Sequence, residues 1–444
     1  MTILGVAESV VAPLVRALLP DDAPSELDRE QLAERFARAA WSAFAEPGDR
    51  DAGHLLAVLG AEASVRAIAA SSIADVAPLE RALAEAGDGE LAHDDVVEAV
   101  KRWRSRVEVP GVLMALRQAA RFGARLLIPG DADWPTGVDE LGEHRPSALW
   151  LRGDSSLLGR LDRSVAIVGA RAATGYGEHV TVEASSGLVD RGFTIVSGAA
   201  YGIDGIAHRA ALASSGATVA FLAGGVDRFY PSGHEALLTR IVERGVVVSE
   251  VPCGTAPTKW RFLQRNRLIA AASRATVVVE AGWRSGSLNT AGHAASLGRP
   301  IGAVPGPVTS AASAGCHRML RDFTAVCVTT PDEMAELVPI DAGATIRTGD
   351  EDAAGDVRSA ERTTSRPPQK SSGIHSLGFD PTGTRVRLLD ALSGHSGRTV
   401  DRIATLSGLA ADRVRAELGL LELEGTVHER PSGWMRRTAK DQAR

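Results

Sequence analysis

The stretch Ser164–Gly177, which reads SVAIVGARAATGYG, decides the fold of this chain. Its apolar run Val165–Val168 ends in a glycine-rich turn that carries Arg171. A continuous run of β-branched and small apolar residues is typical of a parallel strand that is buried on both faces. The same succession of strand and glycine turn returns at Phe193–Asp204, Thr218–Asp227 and Thr276–Ser287. The pattern predicts an α/β domain with a Rossmann-like, doubly wound, mostly parallel sheet.

The glycine turns also predict a site for a phosphate-bearing ligand. In a parallel α/β sheet the carboxyl end of each strand faces the amino end of the next helix, where free N–H groups and the helix dipole favour an anion. Glycine allows the backbone to approach that anion closely. We therefore expect the ligand to lie along the rim formed by the strand carboxyl ends.

Composition narrows the class of protein. The chain has 444 residues, which predicts two or three domains, and a hydrophobic fraction of 44% that is enough for a sizeable core. Cys253, Cys316 and Cys327 form no CxxC pair, which argues against a disulfide scaffold and structural zinc. The histidines show no metal-binding spacing, so no metal is expected. Without a basic leader or a run of about 18 apolar residues, the sequence predicts a soluble cytoplasmic protein.

The charge balance argues against a generally basic surface. A formal net charge of −6 weakens the case for a protein that coats nucleic acid, but it is compatible with a basic groove. Arginine greatly outnumbers lysine, for which a GC-rich genome is the main explanation. Arginine also suits bidentate contacts to phosphate.

Four regions are predicted along the chain. Residues 1–120 have helical apolar spacing and form an N-terminal helical domain of the SAM or helix-hairpin-helix type. Residues 121–340 form the extended Rossmann-like domain, in which two short strands before Asp154 extend the main sheet. Residues 341–383 are rich in polar residues and glycine and form a flexible linker. Residues 384–444 form a winged-helix domain.

The last region has the pattern of a winged helix. Apolar residues at helical spacing predict three helices, at Val386–Leu392, Val400–Leu409 and Val414–Leu423. Gly408 lies in the tight turn between the second and the third, as a helix-turn-helix requires. The segment Gly425–Arg437 then predicts a β-hairpin wing.

The glycine turns do not match the motifs of nucleotide cofactors. Arg171 stands where GxGxxG has its second close-approach glycine, and no GK[ST] follows. The second strand ends in Ser197-Gly198 rather than in an acidic residue for the ribose hydroxyls. We therefore expect no dinucleotide cofactor. Arg171 is suited to a phosphate of a nucleotide or a strand, and the alternative is a surface arginine on a tight turn.

Three segments supply the other candidate binding residues. In Ser197–His208, Asp204 and His208 share a helix face and can hydrogen-bond each other, and a structural tie is favoured over a catalytic dyad. The Arg265–Arg267 cluster can bind an oxyanion, although we expect at least one arginine to pair with Glu250 or Glu280. A turn with hydroxyl donors precedes another helix at Ser285–Gly292. The candidate binding residues are Gly169, Arg171, Ser197, Gly198, Tyr201, Asp204, Arg265, Asn266, Arg267, Ser285, Gly286, Ser287 and Thr290.

All three tyrosines of the chain, Tyr176, Tyr201 and Tyr230, lie at or beside these loops. Aromatic rings among basic loops suit single-stranded nucleic acid, because stacking is worth roughly 1–3 kcal/mol per base. Chance clustering of so few residues is the competing explanation.

These residues carry a resemblance to the DNA-processing protein A family, also called DprA or Smf. The resemblance extends from Phe122 to Asp322 and rests on an ordered set of motifs, with looser similarity in the helical front domain and the winged helix. The five motifs are Val168–Arg171, Ser197–His208, Tyr230–Pro231, Ser249–Arg267 and Glu280–Gly306.

The resemblance implies a single-stranded DNA-binding protein that is not an enzyme and carries no cofactor. Members of the family protect incoming strands in natural transformation, help to load the RecA recombinase and self-associate. Single-stranded DNA, RecA and a second copy of the chain are therefore the expected partners. By the same resemblance Arg171 and Arg265–Arg267 hold phosphates, whereas Ser197–Asp204 and Ser285–Thr290 line the pocket. The chain departs from the family at Ala200-Tyr201, where the family has an arginine after the alanine.

The chain departs from the family at a second place. His234-Glu235 stands where the family has an asparagine and often a basic residue, so this edge is expected to bind DNA more weakly.

One alternative function is that of the related nucleotide phosphoribohydrolases. These enzymes need a glutamate after a glycine turn, and the turn Gly282–Ser287 lacks it. A regulatory winged-helix protein that binds duplex DNA and senses a nucleotide is the other alternative.

Overall fold

Three structural regions follow one another along the chain. The computed structural model describes residues 2–20, 26–339 and 383–437. These residues form a helical N-terminal region, a central nine-stranded sheet flanked by helices and a C-terminal winged helix. The predicted flexible linker at residues 341–383 lies outside the described residues, except for Gly383.

The N-terminal region is a set of packed helices preceded by a short β-hairpin. The strands β1 and β2 are Thr2–Ile3 and Val6–Ala7. The helices α1 to α7 are Glu8–Arg16, Arg29–Phe44, Arg50–Leu59, Ala61–Ala70, Ala77–Glu85, His93–Trp103 and Val109–Arg121. Their apolar faces enclose a core in which the rings of Trp41 and Trp103 meet edge to face at 5.2 Å. Within the described ranges no single helix is long and apolar enough to cross a membrane. The helices α3 and α4 reach that length and apolar composition only when counted together, and the chain bends sharply between them.

The central sheet is mostly parallel, as predicted. Its strands β3 to β11 are Arg125–Leu127, Leu149–Gly153, Ser164–Val168, Thr194–Ser197, Thr218–Leu222, Val246–Ser249, Ala275–Val278, Ile301–Ala303 and Val326–Cys327. The strand order is β11-β10-β9-β5-β6-β7-β8-β4-β3. Strands β5 to β11 are parallel, while β4 pairs antiparallel with both β8 and β3. The two short strands before Asp154 therefore extend the main sheet, as the sequence predicted.

Helices cover both faces of this sheet. The helices α8 to α14 are Gly175–Asp190, Ile203–Ala213, Glu235–Arg244, Lys259–Ala272, Ser287–Ser296, Ala314–Asp322 and Pro331–Glu336. Three 3-10 segments are Thr136–His144, Ser155–Arg163 and Ser232–His234. Helices α8, α9 and α14 share one apolar core, and α11, α12 and α13 share another. Because the chain runs from β5 to β8 on one side of β5 and then continues at β9 on the other, the crevice for a ligand opens at the carboxyl ends of β5 and β9.

The C-terminal region is a winged helix, which confirms the prediction. Its helices α15, α16 and α17 are Thr384–Ala391, Val400–Ser407 and Ala411–Leu423. The wing consists of β12 (Val427–Arg430) and β13 (Gly433–Arg436), which pair antiparallel. Gly408 ends α16 with φ of 64°, a left-handed conformation that glycine adopts without steric cost.

Candidate functional site

The loops that follow β5, β6 and β9 meet at one rim of the sheet. Ile203 at the start of α9 donates its backbone N–H to the carbonyl oxygen of Ala170 at 3.2 Å. Glu280 is buried after β9, and its carboxylate accepts from the backbone N–H of Thr174 at 3.0 Å and from the Thr174 hydroxyl at 2.6 Å. Thr174 in turn caps α8. The turn that carries Arg171 is therefore fixed from both sides.

Arg171 stands at this rim with its guanidinium group exposed. The guanidinium carbon lies 5.1 Å from the centre of the Phe262 ring, within the range of a cation–π contact. The Phe262 ring also contacts the Tyr230 ring, with 5.6 Å between their centres. We call Arg171, Phe262, Tyr230 and Tyr201 the aromatic–arginine rim.

The tyrosines of the rim leave much of their rings in solvent. Tyr201 is 48% exposed and Tyr230 is 51% exposed. The Tyr201 ring meets the buried ring of His234 edge to face at 4.9 Å, and Nδ1 of His234 lies 3.0 Å from the carbonyl oxygen of Ala199. His234 therefore supports Tyr201 from below and is itself buried. Tyr176 is 41% exposed, but its hydroxyl donates to the carbonyl oxygen of Pro305.

Arg265 lies beneath the rim and is buried. Its guanidinium group donates to the carbonyl oxygens of Gly198 and Phe221 at the ends of β6 and β7. Burial lowers the pKa of Arg265 to about 10, against the opposing effect of Asp204, so the group remains charged at neutral pH. Burial likewise raises the pKa of Asp204, and the nearby Arg265 opposes that shift. A Cβ at Gly198 would overlap the Arg265 guanidinium, which explains the glycine there.

Arg267 points away from the rim. Its guanidinium group makes two parallel hydrogen bonds to Glu250, at 2.6 and 2.8 Å, and its side chain is only 3% exposed. Successive residues of an α-helix are rotated by about 100°, so Arg265 and Arg267 face nearly opposite directions. The predicted pair of guanidinium groups around one oxyanion is therefore not formed. The expectation that at least one arginine pairs with Glu250 or Glu280 is met by Arg267.

Asn266 joins α11 to the turn before α12. Its amide donates to the carbonyl oxygen of Gly286 at 3.3 Å and to the Asn289 side chain at 3.2 Å. In the same turn the hydroxyls of Ser285 and Ser287 lie 2.8 Å apart and share a hydrogen bond, and Thr290 is buried in the following helix. These polar groups thus organise the second predicted loop, and part of their hydrogen-bonding capacity is used within it.

Asp204 and His208 do not form the hydrogen bond that their spacing allows. Nδ1 of His208 lies 2.7 Å from the Thr218 hydroxyl, while Asp204 accepts from the backbone N–H of Ala200. Burial is the main cause that lowers the pKa of His208 to about 3, so its imidazole is neutral at physiological pH. His208 thus ties α9 to β7 and Asp204 holds the turn that follows β6, in agreement with the structural interpretation.

Within the described residues, one group has the geometry of a metal site, and it lies outside the rim. It consists of His54, Glu90 and Glu143, in the N-terminal region and the adjoining 3-10 segment. Arg50 makes ion pairs with both glutamates, and His54 contacts Glu143 at 2.8 Å and Asp88 at 3.1 Å. Protein cations therefore already compensate these carboxylates.

Sequence reasoning missed Phe262 and Glu280 as residues of this site. Phe262 precedes Arg265 by three positions on α11, a spacing that places both on one helix face. That spacing was the available signal for Phe262. No sequence signal showed that Glu280 would hold the Thr174 backbone, because this contact joins residues 106 positions apart.

Comparisons with known proteins agree with the resemblance found in the sequence. A family model described as DNA recombination-mediator protein A matches residues 125–339, and a model of the DprA winged helix domain matches residues 375–433. A DprA protein of Mycobacterium tuberculosis is 42% identical over 347 residues, which cover 76% of this chain and 83% of that protein. Protein Smf of Synechocystis is 32% identical over 329 residues, covering 71% of this chain and 81% of that protein.

Two solved structures of DNA processing protein A are also similar to this chain. The X-ray structure from Streptococcus pneumoniae is 29% identical, has a TM-score of 0.49 and covers 66% of this chain and 99% of that one. A structure from Helicobacter pylori, described for its single-stranded DNA binding mode, is 29% identical with a TM-score of 0.44 and covers 48% of this chain and 95% of that one. On the strength of the two family models and of 42% identity over 83% of a DprA protein, the chain belongs to the DprA/Smf family of DNA-processing proteins.

Proposed function

We propose that this protein binds single-stranded DNA at the aromatic–arginine rim without cleaving it. In the cell it would protect the strand in the cytoplasm and help to load the RecA recombinase during DNA processing and natural transformation. The observation that carries the binding proposal is the exposed Arg171 guanidinium stacked on Phe262 at the strand carboxyl ends.

The chemistry of the rim favours a single strand over a duplex. The ring of Phe262 orients Arg171, whose N–H groups can then donate to a phosphate. The exposed faces of Tyr201 and Tyr230 can accept bases only when those bases are unpaired. Since one guanidinium and several rings stand together, the rim can hold both the backbone and the bases of a short stretch.

The buried polar residues around the rim support its geometry. Arg265, Glu280 and Asn266 form hydrogen bonds with the loops that carry the predicted site residues. A site held this way keeps its shape before the ligand arrives, which reduces the entropy lost on binding. We include Ser197, Gly198, Asp204 and Ser285–Thr290 in the proposal as residues that shape the rim. We leave Arg267 out because its guanidinium group already donates two hydrogen bonds to Glu250.

A binding titration with three ligands tests the proposal. Fluorescence anisotropy would compare a labelled oligo-dT, a duplex of equal length and a labelled nucleoside monophosphate. We expect oligo-dT to bind tightest, with affinity that falls as salt rises. Equal or tighter binding of the mononucleotide, or release of free base from it, would instead support the phosphoribohydrolase alternative.

The proposals that this protein helps to load the recombinase and forms a homodimer rest on its membership of the family. Loading would appear as a shorter lag in the ATPase activity of RecA on strands precoated with single-strand-binding protein. Self-association would appear as a concentration-dependent mass in sedimentation. An unchanged lag at saturating protein would remove the loading role while leaving DNA binding intact.

A further inference from the structure

The winged helix packs against the rest of the protein through its helix-turn-helix. Arg106, just beyond α6, donates to the carbonyl oxygen of Thr405 at 2.7 Å and to that of Leu406 at 3.3 Å. Lys101 on α6 forms an ion pair with Asp412, in the first turn of α17, at 3.1 Å. The N-terminal region therefore contacts the end of α16 and the start of α17.

Glu46 is the centre of this contact. Its side chain is 6% exposed and accepts from Arg106 at 2.6 Å and from Arg261 of α11 at 2.7 Å. Gly408, the turn residue of the helix-turn-helix, lies directly against it, since a Cβ at Gly408 would stand 2.6 Å from Cγ of Glu46. Burial alone would raise the pKa of Glu46, but Arg261 and Arg106 outweigh it and hold the pKa at about 2. One ionised carboxylate thus joins the N-terminal region to α11 at the place where the helix-turn-helix docks.

The first helix of the winged helix adds a second set of contacts. Asp390 on α15 accepts from the backbone N–H of Trp260 at 3.1 Å. The Arg387 guanidinium lies 5.6 Å from the centre of the Trp260 ring. The contact thus combines charged and polar groups with the buried Trp260 ring, and polar groups are common in interfaces between domains.

The docked face is the part of a helix-turn-helix that normally reaches DNA. In this motif the first residues of the second helix contact base edges in the major groove. Here Gly408 and Asp412 are engaged by Glu46 and Lys101. The exposed arginines of this end and of the wing leave positive charge available for a duplex backbone. They are Arg415, Arg430, Arg436 and Arg437, whereas Arg413 pairs with Glu417 at 3.2 Å.

We propose that docking through Glu46 and Lys101 autoinhibits duplex DNA binding by the winged helix. In the docked state the N-terminal region occupies the turn and the start of α17. Release of the winged helix frees this face for a duplex. Of the acidic residues that follow this end, Glu417 pairs with Arg413 one turn away, Glu422 lies near the end of α17, and Glu424 just beyond it pairs with Arg385.

The test uses the full chain with Lys101→Glu, which replaces the attraction to Asp412 by repulsion. Duplex affinity should rise about threefold, from the loss of a partly exposed ion pair. The added negative charge would by itself weaken DNA binding, so a rise cannot come from general electrostatics. Glu46→Gln removes the carboxylate that holds Arg106 beside the carbonyl oxygens of Thr405 and Leu406, and should raise duplex affinity by at least the same factor. Arg104→Glu is the matched control, because it makes the same charge change at an exposed position just beyond α6.

Hydrogen–deuterium exchange of residues 404–414 reports undocking in the same samples, and thermal melts confirm folding. Faster exchange together with tighter duplex binding supports the proposal. Faster exchange without a gain in duplex affinity, unchanged exchange in Lys101→Glu, or an equal gain in Arg104→Glu would overturn it. Oligo-dT affinity should stay within twofold in Lys101→Glu and Arg104→Glu, which leave α11 untouched, and this separates the outcome from failure of the single-strand site.

Discussion

Replacing Arg171 with alanine tests the rim most directly. The substitution removes the exposed guanidinium that lies 5.1 Å over Phe262. A hydrogen bond to a charged group contributes about 1.5–3 kcal/mol, so oligo-dT affinity should fall by tenfold or more. One lost phosphate contact should also make the slope of log affinity against log salt shallower by about 0.7.

The Phe262→Ala variant should give a different signature. Removing the ring that orients Arg171 costs about 0.5–2 kcal/mol, roughly twofold to thirtyfold in affinity. No charge is removed, so the salt slope should stay close to that of the unmodified protein. Because Arg171 and Phe262 touch, the double variant should lose less than the sum of the two single losses, by about 0.5–1 kcal/mol.

The chain contains a matched control for this pair. Arg163 lies 4.8 Å over the ring of Phe193, at the amino ends of β5 and β6 and thus at the opposite rim of the sheet. Arg163→Ala and Phe193→Ala remove the same chemical groups from the same kind of contact. Anisotropy titrations with oligo-dT from about 50 to 300 mM salt should show little change for them. If Arg171→Ala behaved like Arg163→Ala in both affinity and slope, the rim would not be the DNA site.

Three further predictions concern the groups that hold the site and the domains in place. Glu250→Gln should lower the free energy of unfolding by about 3–5 kcal/mol, because it leaves a buried arginine unpaired, and a loss below about 1 kcal/mol in urea titrations would contradict this. Gly198→Ala should lower both Tm and oligo-dT affinity because its Cβ would overlap Arg265, whereas Gly292→Ala, with nothing within 4 Å of the added Cβ, should leave oligo-dT affinity unchanged. For Glu46 the folded-state pKa of about 2 lies below the ordinary 4.5, so the stability it contributes, about 3 kcal/mol, is complete above pH 4.5 and is lost as pH falls towards 2. Glu46→Gln should flatten the acid limb of the stability curve, and an unchanged limb in acid denaturation would refute the assignment.

The elements that follow from local pattern could be predicted from the sequence. The apolar runs ending in Val168, Ser197 and Leu222 form buried parallel strands, because only a strand covered on both faces tolerates such continuous hydrophobicity. The winged helix could also be predicted from the sequence, since its helical spacing and the glycine at position 408 are local features. The strand order, with β9 beside β5, depends on contacts between distant segments and carries no local signal.

The candidate site was less predictable because it depends on which way each side chain of α11 points. The sequence Arg-Asn-Arg looks like one cation cluster, yet Arg265 reaches the strand ends while Arg267 is bound by Glu250. Periodicity alone could have separated these two arginines, and the same periodicity joins Phe262 to Arg265. The partner of each charge could not be read in this way, since Glu250 and Gly198 come from other parts of the chain.

Helix α11 connects the proposed DNA site to the domain interface. Trp260 and Arg261 of its first turn contact the winged helix and Glu46, while Phe262 contacts Arg171 at the rim. Arg265 in the next turn is fixed by carbonyl oxygens at the ends of β6 and β7. Because a helix is rigid over two turns, a shift of its first turn would move the Phe262 ring relative to Arg171. The geometry of the rim therefore depends on the same short segment that seats the winged helix.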